Sequence, residues 1–558
     1  DNVPPKVAST GYLAYDDRYV YAGFEFSDPD PGSIRAPYSD RDDISSSNDY
    51  GGIILDTRND GRTAILFLAT PRGIQYDAVK DDATGTESSS PDFYWDSAGR
   101  ITADGWVLEI RVPFSSLRYS DGDVQTWGIM LFRNYPREFR YQLFSTKLPR
   151  GGSCFVCREN VLTGLEGLPD GDHLVVAPYL AAKQESSSEG GAGTGLADGP
   201  TELTGGVDAK WVPNPDNALD LTVNPDFSQV ESDVAKISAN ERFALFYPEK
   251  RPFFLEGSEM FATPIQAVYT RAITSPRWGL RATGKSDSTA YTVLLSDDRG
   301  GGSVILPGPD GSSFADQDFS SRVAVARVRH DLGASFASFL VTDREIDGGG
   351  FNRVFGPDFQ WRPNEADTIT GQLLFSLTEN PDRPELAPEW DGRTLSGSGL
   401  DVWWSHTTST FDSGLEVKAF GDGFRADVGF VPQAGFREVY GEVGYTWRPT
   451  GFLTRVRAFA FTDPMWDNDG TSIRNLLAAG VGMDGRWNSF ARFEVYADRW
   501  RVAGCGAAPE STVEIPKTQL RFILQANPSL LGSYASLRMP AARWIASRFR
   551  DRLRTIRA

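Results

Sequence analysis

Residues 222–261 read TVNPDFSQVESDVAKISANERFALFYPEKRPFFLEGSEMF, and residues 269–285 read YTRAITSPRWGLRATGK. This is the densest run of motif-like sequence in the 558-residue chain, and it divides two kinds of sequence. Before it lie short strands split by turns; after it comes one hairpin after another. Ala218–Val223 alternates like a strand, Asn224-Pro225-Asp226 breaks the alternation, and Ser232–Phe246 has helix-like or irregular spacing. Pro248–Gly257 then sets Glu249, Lys250, Arg251 and Glu256 among aromatic residues. Such a knot of charge could form a catalytic acid–base group. It could equally form ion pairs that lock a loop inside a barrel, because a polar lumen must fill itself with satisfied charges. The second reading is adopted, with a plug-like segment over residues 222–265.

Downstream, the strands alternate in character. In Val439–Trp447, Val439, Gly441, Val443, Tyr445 and Trp447 share one face, and Tyr440, Glu442, Gly444 and Thr446 share the other. Ile369, Gly371, Leu373, Phe375 and Leu377 repeat this against Thr370, Gln372 and Ser376, with Leu374 as the exception. One face suits lipid and the other a wet lumen. Trp361, Trp403, Trp404, Trp447, Trp487 and Trp500 fall near strand ends, as interfacial girdles do. Short links such as Pro449-Thr450-Gly451 alternate with long acidic ones such as Asp298–Ser320, the asymmetry of outer-membrane barrels. A soluble propeller would show a repeat of fixed period, and none is visible. A barrel over residues 169–500 is therefore expected. The basic tail of residues 501–558, ending ARWIASRFRDRLRTIRA, departs from that pattern and leaves closure open. It reads as an amphipathic surface helix or an altered end.

Upstream, residues 1–168 give about seven short strands with turn signals such as Asp28-Pro29-Asp30-Pro31-Gly32 and Asn59-Asp60-Gly61. Val20, Ala22, Phe24 and Phe26 fall on one face and Tyr19, Tyr21, Gly23 and Glu25 on the other, the period of a half-buried strand. An antiparallel β-sandwich follows, so the fold class is all-β: a sandwich, then an antiparallel barrel of outer-membrane type. Glu109 is expected to pair with Arg111 on its strand face. Cys154 and Cys157 form a lone CxxC without a βαβ context or further zinc ligands, and a small disulfide loop is expected, leaving Cys505 unpaired. Glu185–Gly199, rich in Ser, Gly and acid, reads as a surface loop.

Two resemblances add to this. AYDDRYVYAGFEFSDPDP (14–31), SNDYGGIILDTRNDGRTAILFLATPRGIQYD (47–77), DFYWDSAGRITADGWVLEIRVPFSSLRY (92–119) and WGIMLFR (127–133) resemble the family 9 carbohydrate-binding module. NPDFSQVESD (224–233), NERFALFYPEKRPFFLEG (240–257), YTRAI (269–273) and FRADVGFVP (424–432) resemble a bacterial outer-membrane barrel family that carries such a module in front of a domain of unknown function. The first resemblance implies sugar binding by aromatic stacking and by hydrogen bonds to acids. Trp95, in the loop Pro91–Asp96 with Tyr94, Asp92 and Asp96, is the favoured stacking ring. Trp106 and Trp127 begin strands and are either core plugs or stacking rings. Among the crowded loop acids, Asp28, Asp30, Asp56 and Asp60 are either turn formers or ligands of Ca²⁺, which takes roughly six to eight oxygens.

Composition sets the limits. The net charge of −19 argues against nucleic acid as a partner. Three Cys and three His leave little for a zinc-finger-type site. No run of 18 apolar residues exists, so no transmembrane helix is expected, which leaves strands that span a membrane open. The chain opens at Asp1 without a charged-then-apolar leader and reads as either a processed chain or a fragment. The expected partners are an oligo- or polysaccharide and outer-membrane lipid, and the expected location is the outer membrane. Three functions compete: saccharide capture or passage, an envelope glycoside hydrolase, and a structural barrel whose sandwich binds protein. The hydrolase would need two carboxyls about 5–9.5 Å apart, which no spacing here identifies.

Overall fold

The computed structural model describes residues 3–82, 85–120, 122–152, 154–169, 173–187, 197–214, 216–225, 242–255, 257–286, 288–486, 489–503 and 512–525. Eleven strands come first: β1 (Ser9–Tyr15), β2 (Tyr19–Ser27), β3 (Tyr50–Asp56), β4 (Thr63–Ala69), β5 (Gln75–Asp81), β6 (Thr86–Ser88), β7 (Asp96–Thr102), β8 (Gly105–Pro113), β9 (Val124–Pro136), β10 (Arg140–Phe144) and β11 (Asn160–Glu166). They form a four-stranded sheet ordered β1-β2-β8-β7 and a larger one ordered β10-β9-β3-β4-β5-β6, with β11 also on β9. All these pairings are antiparallel.

The alternation in β2 puts Val20, Ala22, Phe24 and Phe26 inward, as the sequence predicts. They meet Trp106, Leu108 and Ile110 of β8, and Ile53, Phe67 and Trp127 of the larger sheet. That sheet is apolar on both faces. Its outer face buries Ile54, Leu66 and Met130 under Val156, Phe144 and Phe155. Hence β3 and β4 read as nearly continuous apolar runs, the mark of strands covered on two sides. Cys154 and Cys157 are bonded in the loop that makes this cover.

The second part begins with β12 (His173–Ser187), β13 (Ala197–Asn214), β14 (Asn217–Val223), β15 (Pro276–Ser286) and β16 (Thr289–Asp298). A hairpin of β17 (Ser303–Pro307) and β18 (Ser312–Asp316) stands apart as its own small sheet. Then follow β19 (Ser321–Leu332), β20 (Ser335–Ile346), β21 (Phe351–Trp361), β22 (Asp367–Glu379), β23 (Thr394–Thr407), β24 (Phe411–Phe420), β25 (Phe436–Trp447), β26 (Leu453–Asp467), β27 (Ser472–Gly485), β28 (Phe490–Ala503) and β29 (Thr512–Gln525). Apart from the small hairpin these strands form one 16-stranded sheet in chain order. Among the described residues β12 and β29 are its two ends.

Burial in this sheet is the reverse of that in a soluble protein. Arg327, Arg344, Asn352, Asp358 and Gln372 are buried on one face. Val341, Phe355, Phe359, Leu373, Phe375, Val443 and Tyr445 are exposed on the other. Strands with apolar side chains outward and polar ones inward suit a wall between lipid and a lumen. No described helix is long and apolar enough to cross a membrane, which says nothing about strands.

The sheet curves around the chain that links β14 to β15. Phe254, Phe261, Ile265, Val268 and Ile273 of that link share a core with Leu294 of β16, Leu340 of β20, Leu374 of β22, Phe436 of β25 and Ile473 of β27. Leu374, the exception in its strand, thus points inward because an apolar segment waits for it there. Polar groups fasten the same segment. Arg327 donates to the Met260 carbonyl at 2.7 Å, Gln372 accepts from the Ile265 amide at 2.7 Å, and Arg281 donates to the Phe254 carbonyl at 3.0 Å.

Several boundaries differ from expectation. The inner segment extends to Ile273 rather than ending at 265, and Thr222 and Val223 belong to β14. The link Asp298–Ser320 contains the β17–β18 hairpin, and β12 and β13 run into the stretch read as a loop. Beyond Trp500 the sheet continues, with β29 paired along β28, so the basic tail does not begin at 501. Alternation in β29 is interrupted by Pro516 and Lys517, which is why it reads poorly as a strand. Residues 226–241, Glu256, Trp487, Cys505 and the terminal Arg-rich stretch lie outside the described residues.

Candidate functional site

The two halves meet at the short-turn end of the large sheet. Arg58 pairs with Asp216 in the β13–β14 turn at 2.9 Å, and Asp60 pairs with Lys285 beside the β15–β16 turn. Arg62 reaches the β19–β20 turn, where it meets Asp331 at 3.4 Å and the carbonyls of Gly333 and Ser335. Arg158 meets Glu365 at 2.7 Å, Arg362 donates to the Asp82 carbonyl, and Arg486 lies 3.5 Å from Glu138. Three of the residues that make these contacts, Arg58, Asp60 and Arg62, come from one tight turn, residues 56–62. Asp56 shapes it by accepting from the amides of Gly61 at 2.7 Å and Arg58 at 3.1 Å.

Between the halves lies a cavity of about 580 Å³. The sandwich contributes the 56–60 turn, the loop of residues 91–94 and the 115–118 segment. The barrel contributes Asp208 and Lys210 of β13, Lys285 and Tyr291 from the β15–β16 hairpin, and Arg329 of β19. Lys250, Phe253 and Glu259 of the inner segment complete it.

Tyr94 is 71% exposed, whereas Trp95 is 3% exposed. Their loop is pinned by Asp77, which accepts from the Phe93 amide at 2.8 Å, the Trp95 indole at 3.1 Å and Arg41 at 2.6 Å. Phe93 and Trp95 both pack edge-on against Phe67 in the core. Adjacent residues in an extended loop point opposite ways, so Tyr94 is left facing the cavity. The favoured ring, Trp95, is thus enclosed and offers no face, and Tyr94 is the exposed ring of the loop. Trp106 and Trp127 are 1% and 0% exposed and serve the sandwich core. Asp92 lines the cavity and lies 3.3 Å from Arg41, while Asp96 is tied to Arg111 at 2.6 Å. That last contact also displaces the expected pairing of Arg111 with Glu109.

Of the four acids proposed for Ca²⁺, the carboxylates of Asp28, Asp56 and Asp60 are otherwise engaged. Asp28 is buried against Arg137 and Arg133, and Asp30 gives its amide to the Asp28 carboxylate at 3.0 Å. Asp56 caps its turn, and Asp60 holds Lys285. Burial works to raise the Asp60 carboxyl, but the Lys285 ammonium prevails and holds it below its ordinary value. Among the described residues the trio whose ligand atoms approach within 4.8 Å is Asp42, Asp77 and Asp92. Arg41 already supplies positive charge there, at 2.6 Å from Asp77 and 3.8 Å from Asp42. Burial, helped by the Asp77 charge, still pushes Asp42 up to about 6.

Behind the 56–62 turn stands a second acid. Gly128 pairs with Asp56 across β3 and β9, and the space above it is filled by the Glu159 carboxyl. Burial, then the Asp56 charge, push Glu159 up to about 9, and burial, then the Asp60 charge, raise Asp56 to about 6.

In the inner segment Glu249 and Arg251 form a two-pronged pair, with 2.8 Å contacts to both carboxylate oxygens. Thr270 donates to Glu249 at 2.6 Å, and Arg251 donates to the Thr270 and Ile273 carbonyls, both at 2.7 Å. Every strong group of this pair is spent on fastening the segment, while Lys250 faces the cavity. The cavity residues that the sequence did not bring forward, Asp216, Lys285 and Arg329, are isolated charges there. Only the meeting of the two halves makes them a site.

Residues 173–289, which span β12 to the first residue of β16, match a family described as a domain of unknown function (DUF5916). No curated protein matches the chain. Solved structures with a similar course of strands include OccK11 (OpdR) of Pseudomonas aeruginosa, at 10% identity and a TM-score of 0.31, covering 72% of this chain and 89% of that one. OccAB2 of Acinetobacter baumannii is 9% identical with a TM-score of 0.30, covering 71% and 92%. The outer membrane protein opdK of P. aeruginosa is 9% identical with a TM-score of 0.27, covering 85% and 99%. The chain is thus similar, from β12 to the start of β16, to a family without a described function, and its likeness to the solved structures is too loose to add to what its own residues say.

Proposed function

We propose that this chain is an outer-membrane protein that captures saccharides. In this reading the 16-stranded sheet is the wall of a barrel in the lipid, and the sandwich is a family 9-like carbohydrate-binding module on its periplasmic side. The inverted burial supports the membrane location. The sandwich docks on the short turns, and in outer-membrane barrels those face the periplasm. The observation that carries the sugar reading is Tyr94, an exposed ring in a cavity that also holds carboxylates and cations. Sugar pockets need this pairing of an apolar face with hydrogen-bonding groups. Hydrolysis finds less support, because Asp60, Asp92 and Asp216 are each held by a cation.

Calorimetric titration of the full chain with a panel of oligosaccharides tests the proposal. Binding that weakens about two- to tenfold in Tyr94→Ala is the expected outcome. Binding unchanged in that variant would move the site elsewhere, and no binding to any saccharide would leave a protein-binding sandwich as the better reading.

A further inference from the structure

The inner wall carries a second array of rings, away from Tyr94. Trp403 of β23, Tyr440 of β25, and Phe461 and Phe459 of β26 stand in a line, with centroid separations of 6.0, 6.2 and 6.4 Å. Strand register places them inward. Glu442 pairs with Phe461 and Gly444 with Phe459, whereas the intervening Val443 and Tyr445 are exposed on the outer face beside Leu415 and Val417. From β23 to β26 the rings span four adjacent strands of the sheet.

The rings lie low on the sheet because glycines leave them room. A Cβ on Gly414 would stand 2.5 Å from the Trp403 ring, and one on Gly480 would stand 2.7 Å from Phe459. Neighbouring rings are tilted by 31°, 36° and 17°. Phe459 closes the line under the guanidiniums of Arg457 and Arg492, at 5.4 and 4.4 Å. Trp403, Tyr440 and Phe461 remain half-buried.

The charges beside the rings come in opposite signs. Glu416, registered between Trp403 and Tyr440, pairs with Lys418 at 2.9 Å, Arg457 pairs with Asp412, and Arg492 pairs with Glu494 at 3.1 Å, while Glu442 accepts from Tyr440 at 3.0 Å. A wall of one sign would draw an ion, and a wall of paired signs exerts little net pull on either. Ring faces flanked by strong donors and acceptors match a neutral polyol. The C–H face of a sugar ring rests on the aromatics while its hydroxyls exchange bonds with the carboxylates and guanidiniums.

We propose that Trp403, Tyr440 and Phe461 form a binding track for a neutral oligosaccharide on the inner wall of the sheet. This rests on the reading of the sheet as a barrel wall and adds a sugar site distinct from the cavity at Tyr94.

Titration calorimetry of the full chain in detergent micelles, with maltohexaose, cellohexaose and xylohexaose as probes, tests the track. Tyr440→Ala and Phe461→Ala are each expected to weaken the binding of a recognised hexaose about two- to tenfold, and Tyr440→Phe, which keeps the ring face, to weaken it less. Phe461→Leu removes the ring with little loss of volume and serves if an alanine variant fails to fold, as judged by far-ultraviolet circular dichroism. Tyr94→Ala should leave the track's share of binding intact. Full binding in the Tyr440→Ala/Phe461→Ala double variant refutes the track. Loss of all binding in Tyr94→Ala alone also refutes it and leaves the cavity reading standing. Preferential binding of benzoate, a flat anion, over all three hexaoses overturns the polyol assignment. If no hexaose binds, the track falls, while the cavity reading stands or falls on the wider saccharide panel.

Discussion

Arg327 donates to both oxygens of Asp358 inside the sheet, and to the Met260 carbonyl of the inner segment. Both members of the pair are almost fully enclosed, at 3% and 1% side-chain exposure. Asp358→Ala strands a buried guanidinium and is expected to cost about 3–5 kcal/mol in denaturant unfolding. Glu159 has the opposite history. Its carboxyl is pushed up to about 9 from an ordinary 4.5, so the folded state keeps a proton that the unfolded chain has lost. Stability from this group therefore falls as pH rises from about 4.5 to about 9. Glu159→Gln should flatten that slope and raise stability at pH 7 by on the order of 3 kcal/mol, read from unfolding midpoints across the range. Tyr94 and Trp95 show what was legible at this scale. The sequence favoured Trp95 over Tyr94 in their loop, and the structure encloses Trp95 and exposes Tyr94. The deciding fact is that Asp77, which anchors the Trp95 indole, sits on β5, 18 residues away.

Strands of the large sheet were legible wherever one face was apolar and the other polar or small. Val439–Trp447 is such a case, with Val443, Tyr445 and Trp447 exposed and Gly444 and Thr446 buried. A cation placed on the lipid side should be poorly tolerated. Val341→Arg on β20 is expected to cost about 2–4 kcal/mol when the protein is refolded into lipid bilayers. Equal stability of the variant and the parent would mean that this face does not meet lipid. Less legible were the elements whose partners are remote. The β17–β18 hairpin packs its Val304, Leu306 and Ala315 against Ala387 and Trp390, more than 70 residues on, so no local pattern announces it.

Across the whole molecule, the sequence showed two halves and nothing of how they join. The joining residues lie far apart in the chain: Asp60 and Lys285 are 225 positions from one another, and Arg62 is 273 from Ser335. Single charges in turns carry no pattern that would mark them. Arg62→Ala combined with Lys285→Ala should release the 56–62 turn, seen as faster hydrogen exchange there with the sandwich core unchanged. No change in exchange would show that the turn holds its place without the barrel.

The inner segment is anchored at both ends to neighbouring strands, since Val223 of β14 pairs with Trp278 of β15. Its two ends are therefore only one strand spacing apart, about 4.8 Å. The described residues of this segment are an appendage of a single hairpin and no part of the large sheet. Replacing residues 225–275 with a tight turn should leave the register of every strand as it is. Such a chain would lose the inward apolar packing and some stability. In planar bilayers it should conduct ions more freely than the parent, and equal conductance would show that this segment is not what blocks the way.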